Sequence, residues 1–90
     1  MATYETTPST GMYKNITATG TVNASPGVLM GFYVNSTTGG TLVLRDGGAS
    51  GTVITGTITP AIGWHALPVG YGADLHATIA NTLNVTLVYR

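Results

Sequence analysis

Asp74 and His76 stand two residues apart in a segment that alternates apolar and polar side chains, so in an extended strand both project from one face. An acid beside an imidazole is the orienting half of a nucleophilic triad, and nearby Ser and Thr hydroxyls could supply the nucleophile. Hydroxyls are so abundant here that such a coincidence is cheap. The plainer reading is a surface Asp and His on an outward strand face. Joined by His65, the same pair offers three ligands to a metal, but a metal site wants three or four converging groups and a supporting shell. Paired carboxylates for glycoside chemistry would have to come from Glu5, Asp46 and Asp74. Glu5 falls in a polar N-terminal stretch and Asp46 in a Gly-rich turn, where Asp caps the turn. Gly39-Gly40 and Gly47-Gly48 lack the helix N-terminus and Lys of a phosphate cradle. No catalytic residue, metal ligand or cofactor is assigned, and the chain is not expected to be an enzyme.

Aromatic residues offer a different chemistry. Trp64, Tyr71 and Tyr33 could form a stacking platform for carbohydrate on a β scaffold, with Trp64 and Tyr71 as the ligand-platform candidates. Against this, a single Trp in a small domain commonly anchors its core. Glycosylation sequons begin at Asn15, Asn23, Asn35 and Asn84. In a Thr-rich chain they are expected by chance, and those at Asn15 and Asn84 fall in expected strands, poor places for a glycan.

The 90 residues make one domain, expected as an N-terminal arm over residues 1–13 and a β-sandwich over residues 14–90. A domain of this size has a marginal core and usually leans on disulfides, metals or partners. Cys is absent, so partners are the remaining support. Charged residues are only 7% of the chain and cancel to a net charge of +0, whereas a solitary soluble domain keeps its charge away from zero. A neutral Thr, Ser, Asn and Gly surface packs against neighbours at a smaller desolvation cost than a charged one. The shortage of Lys and Arg argues against nucleic-acid binding. No stretch reaches bilayer-spanning apolar length, and the first residues lack the pattern of a signal peptide, so no membrane role is expected and synthesis in a cytoplasm is.

Period-two alternation supplies the elements. Strands are expected over residues 15–22, 28–35, 41–45, 51–59, 63–67, 74–80 and 83–90, with no helix. Residues 28–35 are apolar on both faces, with Val28, Met30, Phe32 and Val34 in one row and Leu29, Gly31 and Tyr33 in the other. Such a strand is covered on both sides. Thr38-Gly39-Gly40 reads as a hairpin turn, Asp46-Gly47-Gly48 as another, and Ala80-Asn81-Thr82 as a tight connection. The fold class is all-β: a small two-sheet sandwich, jelly-roll or Greek-key, of six to eight short antiparallel strands.

The stretch from Gly27 to Ser36, the run from Thr41 to Gly47 and the ending from Asn84 to Arg90 resemble small β-sandwich virion proteins of tailed bacteriophages. The resemblance spans the chain from about Asn15 onward and rests on strand and turn text. It implies a structural component of the particle, of the capsid decoration or cement kind, made in the host cytoplasm and bound to the major capsid protein or other virion proteins. The alternative it allows is a small tail or fibre module that recognises a host-surface glycan. A homo-oligomer is expected, a trimer by preference, with Tyr4, Tyr13, Leu29 and Tyr33 as subunit contacts.

Overall fold

A computed structural model describes residues 11–90, all of them in strands and connecting segments. The strands are β1 (Met12–Ile16), β2 (Gly20–Asn23), β3 (Gly27–Asp46), β4 (Thr52–Val53), β5 (Gly63–Tyr71) and β6 (Leu75–Tyr89). They form one six-stranded antiparallel sheet. The sheet already begins at Met12, so Met12 and Tyr13 belong to it and not to an arm. Tyr4 and Glu5 lie outside the described residues.

Two long strands organise everything. β3, at 20 residues, runs antiparallel to β6, at 15, along nearly its whole length. β5 lines one stretch of β3 and β4 another; β1 and β2 line β6 in the same way. Both ends of β3 come together. Gly27 at its start pairs with Tyr71, Asp46 at its end pairs with Leu75, and only residues 72–74 separate those partners. The β3–β6 ribbon therefore bends back on itself, and its inward side chains meet in one core: Leu29, Phe32, Val34, Leu42, Leu44, Leu75, Ala77, Val85 and Leu87.

The bend sits where two turns were expected. Gly39 and Asn81 both have φ of 61°. Thr38 and Gly39 both face Thr82, a bulge that lets the ladder resume on either side. The Asn81 side-chain amide donates to the Gly39 carbonyl oxygen at 2.9 Å. Residues 38–40 and 80–82 are thus not chain reversals but the two sides of one bend. Positive φ is the common demand of a hairpin turn and a bulge, which explains the confusion.

Other boundaries shift for related reasons. The expected strand over 15–22 breaks at residues 17–19, opposite the bend in β6. There the Thr19 hydroxyl replaces the ladder, accepting from the Ile79 N–H at 2.9 Å and donating to its carbonyl oxygen at 3.1 Å. Residues 51–59 keep only β4 and an isolated bridge between Leu42 and Ile58. β5 runs on past Pro68, because Leu67 and Pro68 together face Met30 in a bulge that needs no proline N–H.

Candidate functional site

The triad residues do not assemble. Asp74 spends its carboxylate on the backbone: Oδ1 accepts from the N–H groups of Gly47 at 3.0 Å and Gly48 at 2.8 Å. His76 lies opposite Arg45 and Thr21. It is buried, not surface-facing, and neither ring nitrogen has a hydrogen-bond partner among the described residues. His65 is on β5, stacked on Phe32 with ring centroids 5.0 Å apart, and its Nε2 donates to the Ala61 carbonyl oxygen at 2.7 Å. Register thus sets the two imidazoles at different stretches of β3, His65 beside Phe32 and His76 beside Arg45. No group of three His, Asp or Glu converges on a metal-sized site among the described residues.

Asp46 does cap a turn, but the turn of another loop. Its carboxylate accepts from the N–H groups of Gly72, Ala73 and Asp74 at 2.8, 2.9 and 3.3 Å. The Gly72 and Ala73 bonds dominate in holding its pKa below the usual carboxylate range, against a smaller opposing effect of burial. Together with Asp74 it forms a reciprocal clip between residues 46–48 and 72–74.

The ligand-platform pair is also separated. Tyr71 is buried, and its phenolic oxygen accepts from the Asn23 amide at 2.8 Å. Burial pushes its pKa up, although that hydrogen bond works in the opposite direction. A side chain at position 27 would meet this ring, so the Tyr71 phenol occupies space that Gly27 leaves open. Trp64 instead stands 50% exposed on the outer face of β5. Its companion is Tyr33, directly opposite on β3 and 45% exposed.

Leu29 must be withdrawn as a subunit contact, because it is fully buried. The single face assigned to Leu29, Gly31 and Tyr33 is split by the bulge at Met30. Before the bulge Val28 points out and Leu29 in; after it Gly31 and Tyr33 point out, while Phe32 and Val34 point in. One inserted residue reverses the phase of a period-two pattern.

What the register does assemble is a row across four strands. Asn15, Thr86, Tyr33 and Trp64 are successive partners on β1, β6, β3 and β5, and antiparallel partners share a face. The next row in the same direction is Tyr13, Val88, Gly31 and Ala66. The benzo edge of Trp64 lies against Gly31, where an added Cβ would come within 2.6 Å of Cζ2 and Cη2. Glycine here lets the indole lean onto the sheet.

Beside Tyr33 lies a ladder of amides. The Asn15 side-chain amide donates to Asn84 Oδ1 at 2.7 Å, to Thr86 Oγ1 at 3.0 Å and to the Val85 carbonyl oxygen at 3.3 Å. The Asn35 amide donates to the same Asn84 Oδ1 at 3.2 Å and Thr86 Oγ1 at 3.0 Å. Three of the four sequon asparagines thus meet on one face, a gathering that spacing in the chain does not announce. The one available signal was that Asn15, Asn35 and Asn84 interrupt strands otherwise rich in Thr and Val.

Comparison of the chain with protein-family models, curated proteins and solved structures yields no match.

Proposed function

We propose that this protein is a passive structural subunit of a larger assembly, a bacteriophage virion protein of the capsid decoration kind that bridges neighbouring capsid subunits. The observation that carries the reading is the apolar end of the outer sheet face. Tyr13 is 76% exposed and Val28 37%, with Val88 between their strands and Tyr33 at the border. Contiguous exposed apolar groups on a small domain mark an interaction surface. Charge is scarce in the chain as a whole, which lowers the cost of covering such a surface, although Arg90 pairs with Val28 at this end. In this reading the bent β3–β6 ribbon serves as a two-layer sandwich of the jelly-roll type, rigid enough to present one face. A trimer is the preferred state of the isolated protein, completed in the particle by the major capsid protein.

The test is light scattering on the purified protein together with co-sedimentation with phage heads. The expected result is a discrete oligomer that binds heads, and Tyr13→Ser with Val28→Ser weakens both without lowering the melting temperature. A monodisperse monomer that leaves every particle fraction empty ends the proposal.

A further inference from the structure

The adjoining row of the same face offers a different chemistry. We infer that the row Trp64–Tyr33 with the Asn15–Asn35–Asn84–Thr86 ladder is a binding platform for a neutral oligosaccharide. The inference does not depend on the assembly reading, which rests on Tyr13 and Val28.

Four observations lead there. First, two aromatic rings stand side by side on rigid, paired strands, each about half open to solvent. A pyranose presents an apolar C–H face, and a ring already fixed in place stacks against it with little loss of conformational freedom. Second, the Trp64 edge resting on Gly31 holds the indole along the sheet. Third, the ladder keeps unused hydrogen-bonding capacity of both kinds. Asn84 Nδ2 and the Oδ1 atoms of Asn15 and Asn35 make no hydrogen bond to any described residue, while their other amide atoms are tied down. A sugar hydroxyl is both donor and acceptor, and so matches a mixed set of free amide groups. An apolar protein surface laid on the same spot would strand those groups without partners. Fourth, no charged residue stands in the row or the ladder, which selects a neutral ligand over a sialylated or sulfated one. Three strand spacings of about 4.8 Å give the row a length of roughly 14 Å, enough for two to three sugar rings. The described residues enclose no pocket, so the mode is stacking on an open surface.

Trp64 is the only Trp in the chain, so its fluorescence reports the site directly. The experiment titrates the full-length protein with maltohexaose, cellohexaose and chitohexaose, and with a sialylated and a sulfated oligosaccharide as charged comparators. At least one neutral sugar is expected to change the emission saturably. Asn84→Ala and Tyr33→Ala are expected to weaken that binding about tenfold each, a loss of roughly 1.4 kcal/mol. Tyr13→Ser leaves it unchanged, even where it abolishes oligomers, and Asn84→Ala leaves the oligomer unchanged, which separates this site from the assembly surface. Amide-proton shifts of the Asn15, Asn35 and Asn84 side chains on sugar addition confirm the location in the unmutated protein. No saturable response to any neutral sugar, a response to charged sugars alone, or binding by folded protein that survives both Asn84→Ala, read by emission, and Trp64→Ala, read by titration calorimetry because that variant has no indole, would each overturn the inference.

Discussion

At the clip, Asp46 and Asp74 tie two loops together; at the bend, Gly39 and Asn81 face each other inside two unbroken strands. Both regions contain residues with positive φ, Gly47 and Gly48 at the clip, Gly39 and Asn81 at the bend. They differ in what happens to the backbone N–H groups. At the clip both chains leave the ladder, and five N–H groups are taken up by two carboxylates. At the bend the ladder resumes at once on either side. One Asn amide and the Thr37 hydroxyl, which accepts from the Gly40 N–H at 3.0 Å, are sufficient there. A left-handed residue therefore permits a change of direction but does not require a reversal. Reversal needs groups to satisfy the backbone that pairing gives up.

The largest effect is expected at the bend, through sterics. A Cβ at position 40 would meet the Thr82 carbonyl oxygen at 2.5 Å and Leu83 Cβ at 2.7 Å. Gly40→Val should destabilise the fold by about 3 kcal/mol in urea titration. A loss below about 1 kcal/mol would mean that the two strands can part there freely.

The clip comes next. Asp74→Ala replaces two charge-assisted hydrogen bonds to the Gly47 and Gly48 N–H groups with bonds to water and should cost about 2 kcal/mol, with Asp74→Asn recovering part of it because the amide oxygen still accepts. Equal losses from the two variants would show that hydrogen bonding is not what closes this loop.

A smaller effect separates conformation from hydrogen bonding at Asn81. Asn81→Val places a β-branched residue at a φ of 61° and should lower stability by about 1–2 kcal/mol. Asn81→Gly relieves the backbone while losing one exposed hydrogen bond, and should stay within about 0.5 kcal/mol of the parent. Thermal melts that rank glycine below valine would refute the account of the bend.

The last prediction concerns pH. The Gly72 and Ala73 N–H groups lower the pKa of Asp46 in the folded state below its unfolded value of about 3.9. Its contribution to stability is therefore present above about pH 4 and is lost as the pH falls through the lower, folded value. Asp46→Asn should flatten the acid limb of a stability–pH curve. The limb of Asn81→Gly should keep the parent slope, because the bend has no titrating group.

Much of this molecule was legible along the chain. Alternation of Leu75, Ala77 and Ile79, and of Leu83, Val85 and Leu87, located the two halves of β6 and their inward face, though as two strands and not one, since a pleated strand exposes alternate side chains to one core. Gly39, Gly47, Gly48 and Asn81 marked changes of direction, because few other residue types tolerate positive φ, whereas the break at residues 17–19 inside the strand expected over 15–22 carries neither Gly nor Asn. The Asp46 turn was also readable, though not its partner. Other features were invisible because they depend on pairing between distant segments. The bulge that sends Leu29 inward is defined by pairing with Tyr89 and Val88 on one side and with Val69 and Ala66 on the other. The Asn ladder joins residues 49, 51, 69 and 71 positions apart.

Local chemistry accounts for what each segment prefers: extended backbone, a neutral surface and places to bend. Whether a bend reverses the chain, which aromatic stands beside Trp64, and where His76 lies are set by cross-strand register. A shift of one residue exchanges the two faces of a strand, and that choice is made by burying the whole core at once.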